Sequence, residues 1–283
     1  MVFIETSPDL VRRLLRAQFP DWADRPITPV QSFGTVNDLY RLGSDMVVRL
    51  PRREDAAGDV QRELEWLPRL TPLPTAIPVP VGQGMPGEGY PWNWSVFRWL
   101  TGENPVVGDI PLVAKDLAEF VVALRRIDPA SGPASDRGGP LADRDRETRE
   151  AIDQARDMID ADAATAAWEA ALQAPQWSEP ARWTHADLGP GNILVTDDRL
   201  TAVIDFGLLG VGDPAVDLIP AWNLFTGSAR ATFRSIVDVD EAAWARGRGW
   251  ALSISLIQLP YYRDTNPVIT ANSLHVITEV LRD

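Results

Sequence analysis

His185-Ala-Asp187-Leu-Gly-Pro-Gly-Asn192-Ile-Leu-Val, followed by Ala202-Val-Ile-Asp205-Phe-Gly207, is the stretch whose reading decides the fold. A histidine and an aspartate two residues apart open a loop, and an asparagine five residues further on leads into an apolar strand. A polar turn, Asp197-Asp198-Arg199, joins it to a second apolar strand that ends in Asp-Phe-Gly. The hairpin thus delivers two carboxylates and a carboxamide from neighbouring strand ends. Those groups suit phosphoryl transfer, which asks for an aspartate to orient and deprotonate an acceptor hydroxyl and for oxygen ligands to hold Mg²⁺ on phosphates. Asp187 is the candidate base, with Asn192 and Asp205 as candidate metal ligands. A lone Asp-Phe-Gly is a common turn after a strand; the ordered set of three is much harder to reach by chance.

Composition narrows the rest. The 283 residues suffice for one large domain or two modest ones, and 45% apolar content supports a real core. No apolar run approaches the ~18 residues of a membrane span, and no basic-then-apolar leader opens the sequence. Cysteine is absent, which removes disulfides and thiolate chemistry. A cytoplasmic protein is the simplest expectation. The net charge of −13 disfavours nucleic acid and anionic lipid as partners and favours cationic ones.

Lysine is nearly absent as well. Of 27 basic residues only Lys115 is a lysine, and it lies in a helical-looking segment. A Walker loop, which requires Gly-Lys-Ser/Thr, is therefore excluded. Any phosphate-gripping cation in the first part of the chain must be an arginine. Arg49, at the end of the strand Met46-Val-Val-Arg49-Leu, is the candidate, with Glu63 as its carboxylate partner and Glu65 second. A solvent-facing strand arginine is the competing reading.

Residues 6–19 read as an amphipathic helix with a Ser-Pro start, and Ile27–Val30, Asp38–Leu42 and Met46–Leu50 as short strands. Asp59–Leu70 recovers helical spacing, the proline-rich run from Thr71 to Pro80 is extended, and Trp94–Leu100 is a further strand. From Pro111 the chain reads as mostly helical outside the hairpin, with a loop at Asp128–Pro140. Ser32-Phe-Gly34-Thr-Val-Asn37 lies between two strands, where backbone N–H groups could meet phosphate, or where an ordinary turn suffices. Arg98 and Leu100 lie at the junction of the two halves, where backbone groups can meet an adenine edge. Asp217, in Gly212-Asp213-Pro-Ala-Val-Asp217-Leu, opens a helix; it either braces the loop at His185 by accepting backbone N–H groups or is a plain first-turn acid.

The hairpin, the Gly-Asp-Pro-x-x-Asp-Leu segment and the proline-rich run before a strand-Gly junction together resemble the aminoglycoside phosphotransferase family, over roughly Ile27 to Leu281. The resemblance implies an α+β, bilobal, protein-kinase-like fold: a small sheet-containing nucleotide lobe over 1–100 and a larger, mostly helical lobe over 101–283. It implies ATP or GTP with Mg²⁺, Asp187 as catalytic aspartate, and Asn192 and Asp205 as metal ligands. Two positions depart from the family pattern: Ala186 stands where the family has glycine, and Arg49 where it has lysine. The expected activity is O-phosphorylation of a small molecule, aminoglycoside-like or otherwise cationic. Macrolide and choline- or homoserine-type acceptors are alternatives, as is a nucleotide-binding pseudokinase. Arg49-Leu-Pro-Arg52 resembles a macrolide-kinase strand, whereas Phe206 departs from the tryptophan found there. Asp264, after a helix over Trp244–Tyr262, is the candidate acceptor-binding carboxylate.

Overall fold

The computed structural model describes residues 4–31, 36–70, 72–129 and 131–283. The chain divides into two units, one of residues 1–102 with 201–207 and one of 103–200 with 208–283.

The first unit is an antiparallel sheet backed by helices. Helix α1 (Pro8–Gln18) starts where Ser7 Oγ accepts the Leu10 N–H at 3.2 Å and Pro8 supplies a preset φ. Strands β1 (Ile27–Val30), β2 (Asn37–Leu42) and β3 (Met46–Pro51) form a meander, and helix α2 (Glu54–Trp66) follows. Strands β4 (Pro80–Gly84) and β5 (Trp94–Arg98) complete a five-stranded sheet in the order β1-β2-β3-β5-β4. Leu10, Val11, Leu14 and Leu15 of α1 pack against Leu42, Val48, Trp94 and Val96 in one buried cluster. Gly84 is required there, because a Cβ on it would overlap the Trp94 indole. Arg49 sits on the central strand, opposite Leu39 of β2 and Ser95 of β5.

Residues 201–207 join this unit although the sequence reading places them in the helical half. Val203 N–H donates to Ala76 O at 3.0 Å, and Thr201 Oγ1 to Thr101 O at 3.3 Å. Helix α2 also differs from expectation. It begins five residues early, at Glu54, and ends at Trp66, where Leu67-Pro68 turns into a short 3₁₀ segment.

The second unit is mainly helical. Helices α3 (Pro111–Leu124), α4 (Asp145–Gln154) and α5 (Ala161–Leu172) precede strand β6 (Arg182–Thr184). Strand β7 (Ile193–Thr196) leads through Asp197 and Asp198, both at positive φ, into β8 (Arg199–Val203), whose last three residues belong to the first unit. Strand β9 (Gly210–Gly212) pairs antiparallel with β6. Helices α6 (Pro220–Asn223), α7 (Gly227–Val237), α8 (Glu241–Tyr262) and α9 (Pro267–Arg282) finish the chain. Helix α3 packs on α7, and α8 packs on α9. Asp160, Asp240 and Asn266 cap α5, α8 and α9 by accepting the N–H groups of Ala163, Ala243 and Ile269. The mixed α+β architecture is the expected one: a sheet-bearing first unit and a mostly helical second. Among the described residues no helix is long and apolar enough to cross a membrane.

Candidate active site

The loop that follows β6 is held from several directions within the second unit. Asp217 accepts the backbone N–H of His185 at 2.9 Å on one carboxylate oxygen and that of Ala186 at 2.8 Å on the other. It does not open a helix. Asp213 caps the 3₁₀ segment Pro214–Leu218, and Asp217 lies inside that segment, buried. Burial pushes Asp217 up to about 7, against the pull of those two N–H groups and of Arg125. The brace is needed because Ala186 adopts φ +65, a conformation that side chains with a Cβ resist. His185 is fully buried, and its Nδ1 accepts the Asp187 N–H at 3.3 Å.

Asp187 emerges from this frame partly exposed. Asn192 Nδ2 donates to Asp187 Oδ2 at 3.0 Å and to Asp187 O at 2.9 Å, which commits the amide nitrogen and turns the carboxamide oxygen away from the aspartate. Three residues that the sequence reading did not single out complete the loop. Arg137 Nη1 donates to Ala186 O at 3.1 Å and to Asp187 Oδ1. Asn104 Nδ2 donates to the carbonyls of Pro190, Gly191 and Ile193 at 3.0, 3.1 and 2.9 Å, and Asn223 Nδ2 to Leu188 O at 2.8 Å. None carries a local signal. Each lies 35 or more residues from the backbone that it fixes.

In the first unit, Arg49 gathers the other candidates. Its Nη1 donates to Glu63 Oε2 at 2.6 Å and its Nη2 to Asp205 Oδ1 at 3.0 Å. Asn37, with its carboxamide oxygen turned toward the guanidinium, accepts from Nε and Nη2 at 3.0 and 2.9 Å. Glu63 is completely buried, and its other oxygen accepts the Phe206 N–H at 2.8 Å. Glu65 pairs instead with Arg69. Burial opposes charge on Arg49, but Glu63 and Asp205 outweigh it and hold the guanidinium above its ordinary value. Arg49 is therefore a buried, permanently charged hub between β3, α2 and the Asp205-Phe206 turn, and the solvent-facing alternative is excluded. Asp205 itself adopts φ +62 and stays one-third exposed.

The remaining candidates fall elsewhere. Gly34 lies outside the described residues. The Arg98 N–H donates to Val79 O at 2.9 Å, and its exposed side chain pairs with Asp45. Leu100 follows β5, half-buried. Asp264 is exposed in the turn between α8 and α9, where Arg263 reaches back to Asp157 and Asn266 supplies the cap of α9.

The sequence matches the Phosphotransferase enzyme family (APH) over residues 28–250. No curated protein matches it. Among solved structures, it resembles APH(2")-IIIa in complex with GDP and kanamycin (19% identity, 95% of this chain and 97% of that one, TM-score 0.76). It also resembles the ternary complex of APH(2")-IIa with streptomycin and ATP (17% identity, 99% and 97%, TM-score 0.65). A third is the macrolide 2'-phosphotransferase MphH from Brachybacterium faecium (21% identity, 95% and 97%, TM-score 0.62). These likenesses identify the protein-kinase-like fold. With the family match spanning most of the sequence, the chain belongs to the Phosphotransferase enzyme family.

Proposed function

We propose that the protein transfers the γ-phosphoryl group of ATP or GTP, with Mg²⁺, to a hydroxyl of a polyhydroxylated and cationic small molecule of the aminoglycoside kind. The observation that carries this reading is Asp187: a partly exposed carboxylate in a loop that Asp217, Asn104 and Asn223 immobilise. In the reaction the acceptor oxygen bonds to the γ-phosphorus as the bond to the β,γ-bridging oxygen breaks. The hydroxyl proton passes to Asp187, and the nucleoside diphosphate leaves. Asn192 and Asp205 are the oxygen donors that would hold Mg²⁺, and the ion would neutralise charge on the phosphates. One carboxylate and one carboxamide suit an ion that takes most of its remaining ligands from water and substrate. Arg49 supplies the fixed positive charge that lysine gives elsewhere in the family.

The acceptor class rests on the charge of −13, which draws cations over about a Debye length, and on the acceptors named with the similar structures, kanamycin and streptomycin. The macrolide phosphotransferase keeps macrolides in the panel to be tested. The test is Mg²⁺-dependent phosphorylation of aminoglycosides, macrolides and amino alcohols with ATP and with GTP, in wild-type protein and in Asp187→Ala. Turnover with at least one acceptor, reduced about 10²–10⁴-fold in Asp187→Ala, is the expected result. Full turnover by the variant would remove Asp187 from the mechanism.

A further inference from the structure

Arg137 lies in the loop between α3 and α4, 50 residues before Asp187, and the structure fixes it by its backbone as well as by its side chain. The loop runs alongside β9. Val211 N–H donates to Pro133 O at 2.7 Å, Ser135 N–H to Val211 O at 3.0 Å, and Asp213 N–H to Gly138 O at 2.8 Å. Thr184 Oγ1 of β6 donates to Ser135 Oγ at 3.2 Å. The approach is so close that a Cβ on Gly210 would collide with the Ser135 backbone, and one on Gly212 with Gly138. From this platform the Arg137 guanidinium reaches the catalytic loop twice, at the Ala186 carbonyl and at Asp187 Oδ1.

We propose that Arg137 is a positioning residue for phosphoryl transfer, holding the Asp187 carboxylate from the side opposite Asn192 so that it faces the acceptor hydroxyl in one orientation. Stability alone is a poor account of the pair. Its side chains are 22% and 36% exposed, and ion pairs so open to solvent contribute at most about 1 kcal/mol. Orientation accounts for it better. With Asn192 on Oδ2 and Arg137 on Oδ1, rotation of the carboxylate breaks one bond or the other, whereas without Arg137 only the Asn192 contact restrains it. Misplacing a reacting group by about 1 Å costs roughly 10²-fold in rate.

The inference rests on the phosphotransfer reading, and the experiment separates the two. Mg²⁺-dependent hydrolysis of ATP and GTP, with water as acceptor, is measured in wild type, Arg137→Ala, Arg137→Lys, Asp187→Ala and the Arg137→Ala/Asp187→Ala double variant. Arg137→Ala is expected to lower kcat about 10–100-fold with the nucleotide KM unchanged. Millimolar guanidinium is expected to restore part of the loss in Arg137→Ala, and Arg137→Lys to retain part of the wild-type rate. In the Asp187→Ala background, removing Arg137 should cost nothing further, because its effect runs through Asp187. Additive losses would mean that Arg137 acts on the phosphates independently, and a faster Arg137→Ala would mean that the pair restrains the enzyme; either overturns the proposal. So does an Arg137→Ala that unfolds while Arg137→Lys folds with an unaltered rate and no response to guanidinium. A wild-type protein that turns over neither nucleotide, alone or with the acceptor panel, refutes the phosphotransfer reading itself.

Discussion

Replacing Arg49 by methionine tests whether the buried hub is held by charge pairing. Methionine keeps the length and much of the apolar volume of the stem, so the change removes the guanidinium and little else. Glu63 is then left completely buried with one backbone N–H, from Phe206, to satisfy it. Removing one partner of a buried pair costs about 3–5 kcal/mol, because the other charge remains desolvated. At roughly 2–4 °C per kcal/mol for a chain of this size, the midpoint of thermal unfolding should fall by about 6–20 °C. Replacing both partners, as Arg49→Met/Glu63→Met, should recover most of that loss. The pH dependence carries a sign. Burial pushes Glu63 above the usual carboxylate range, so without Arg49 the folded state retains its proton more tightly than the unfolded state does. The deficit of Arg49→Met should therefore shrink as the pH is lowered and grow as it rises through the folded value. Tryptophan fluorescence during heating, at several pH values, reads all three quantities. A loss below about 1 kcal/mol in the single variant, or a double variant no better than the single, would refute the reasoning.

Three further outcomes are expected. Asp205→Asn keeps a residue type tolerant of the left-handed backbone at φ +62. It should weaken nucleotide binding in Mg²⁺ far more than in chelator, as titration calorimetry can read; equal losses would point to the ion pair with Arg49 instead. Asp217→Asn turns an amide N–H₂ toward a backbone N–H and should cost about 1–3 kcal/mol. Because Asp217 titrates near 7 in the folded state and lower when unfolded, wild-type stability should decline between about pH 4 and pH 7, and the gap to the variant should narrow over that range. Ala186→Gly relieves about 1–2 kcal/mol of left-handed strain but gives up about 0.8 for the buried methyl and about 0.4–1 for greater freedom when unfolded. The two sides nearly cancel, so unfolding midpoints should differ by only a few degrees; a loss above about 2 kcal/mol would contradict this balance.

Where local chemistry decides structure, the sequence was readable. Ser7-Pro8 marks a helix start, and the short, mostly apolar run Met46–Leu50 between turn residues marks a strand. The spacing of Asp187 and Asn192 places them five residues apart on one turn, where the structure joins them by hydrogen bonds. Elements governed by distant partners were not readable. Strand β4 begins at Pro80, a residue that sheets accept at a strand's first position or edge, and it finds its partner only where β5 returns beside it. Strands β6 and β9 are three residues each, and Gly-Val-Gly has little strand preference of its own. Arg137 is concealed for the same reason, being one arginine in a loop rich in glycine, proline and serine.

The near absence of lysine has a practical side. Affinity labels built as acyl phosphates of nucleotides acylate an amine beside the phosphates. Arg49, the cation proposed to meet those phosphates, is a guanidinium, buried and held fully charged, which such reagents do not acylate. Lys115 stands half-exposed on α3, loosely paired with Glu119. Amine-directed chemistry on this protein therefore has one side-chain target, so a fluorophore, a crosslinker or a sensor surface can be attached at a single defined point through Lys115, once the α-amino group is blocked. Competitive labelling surveys that rely on lysine acylation beside bound phosphates would pass over it.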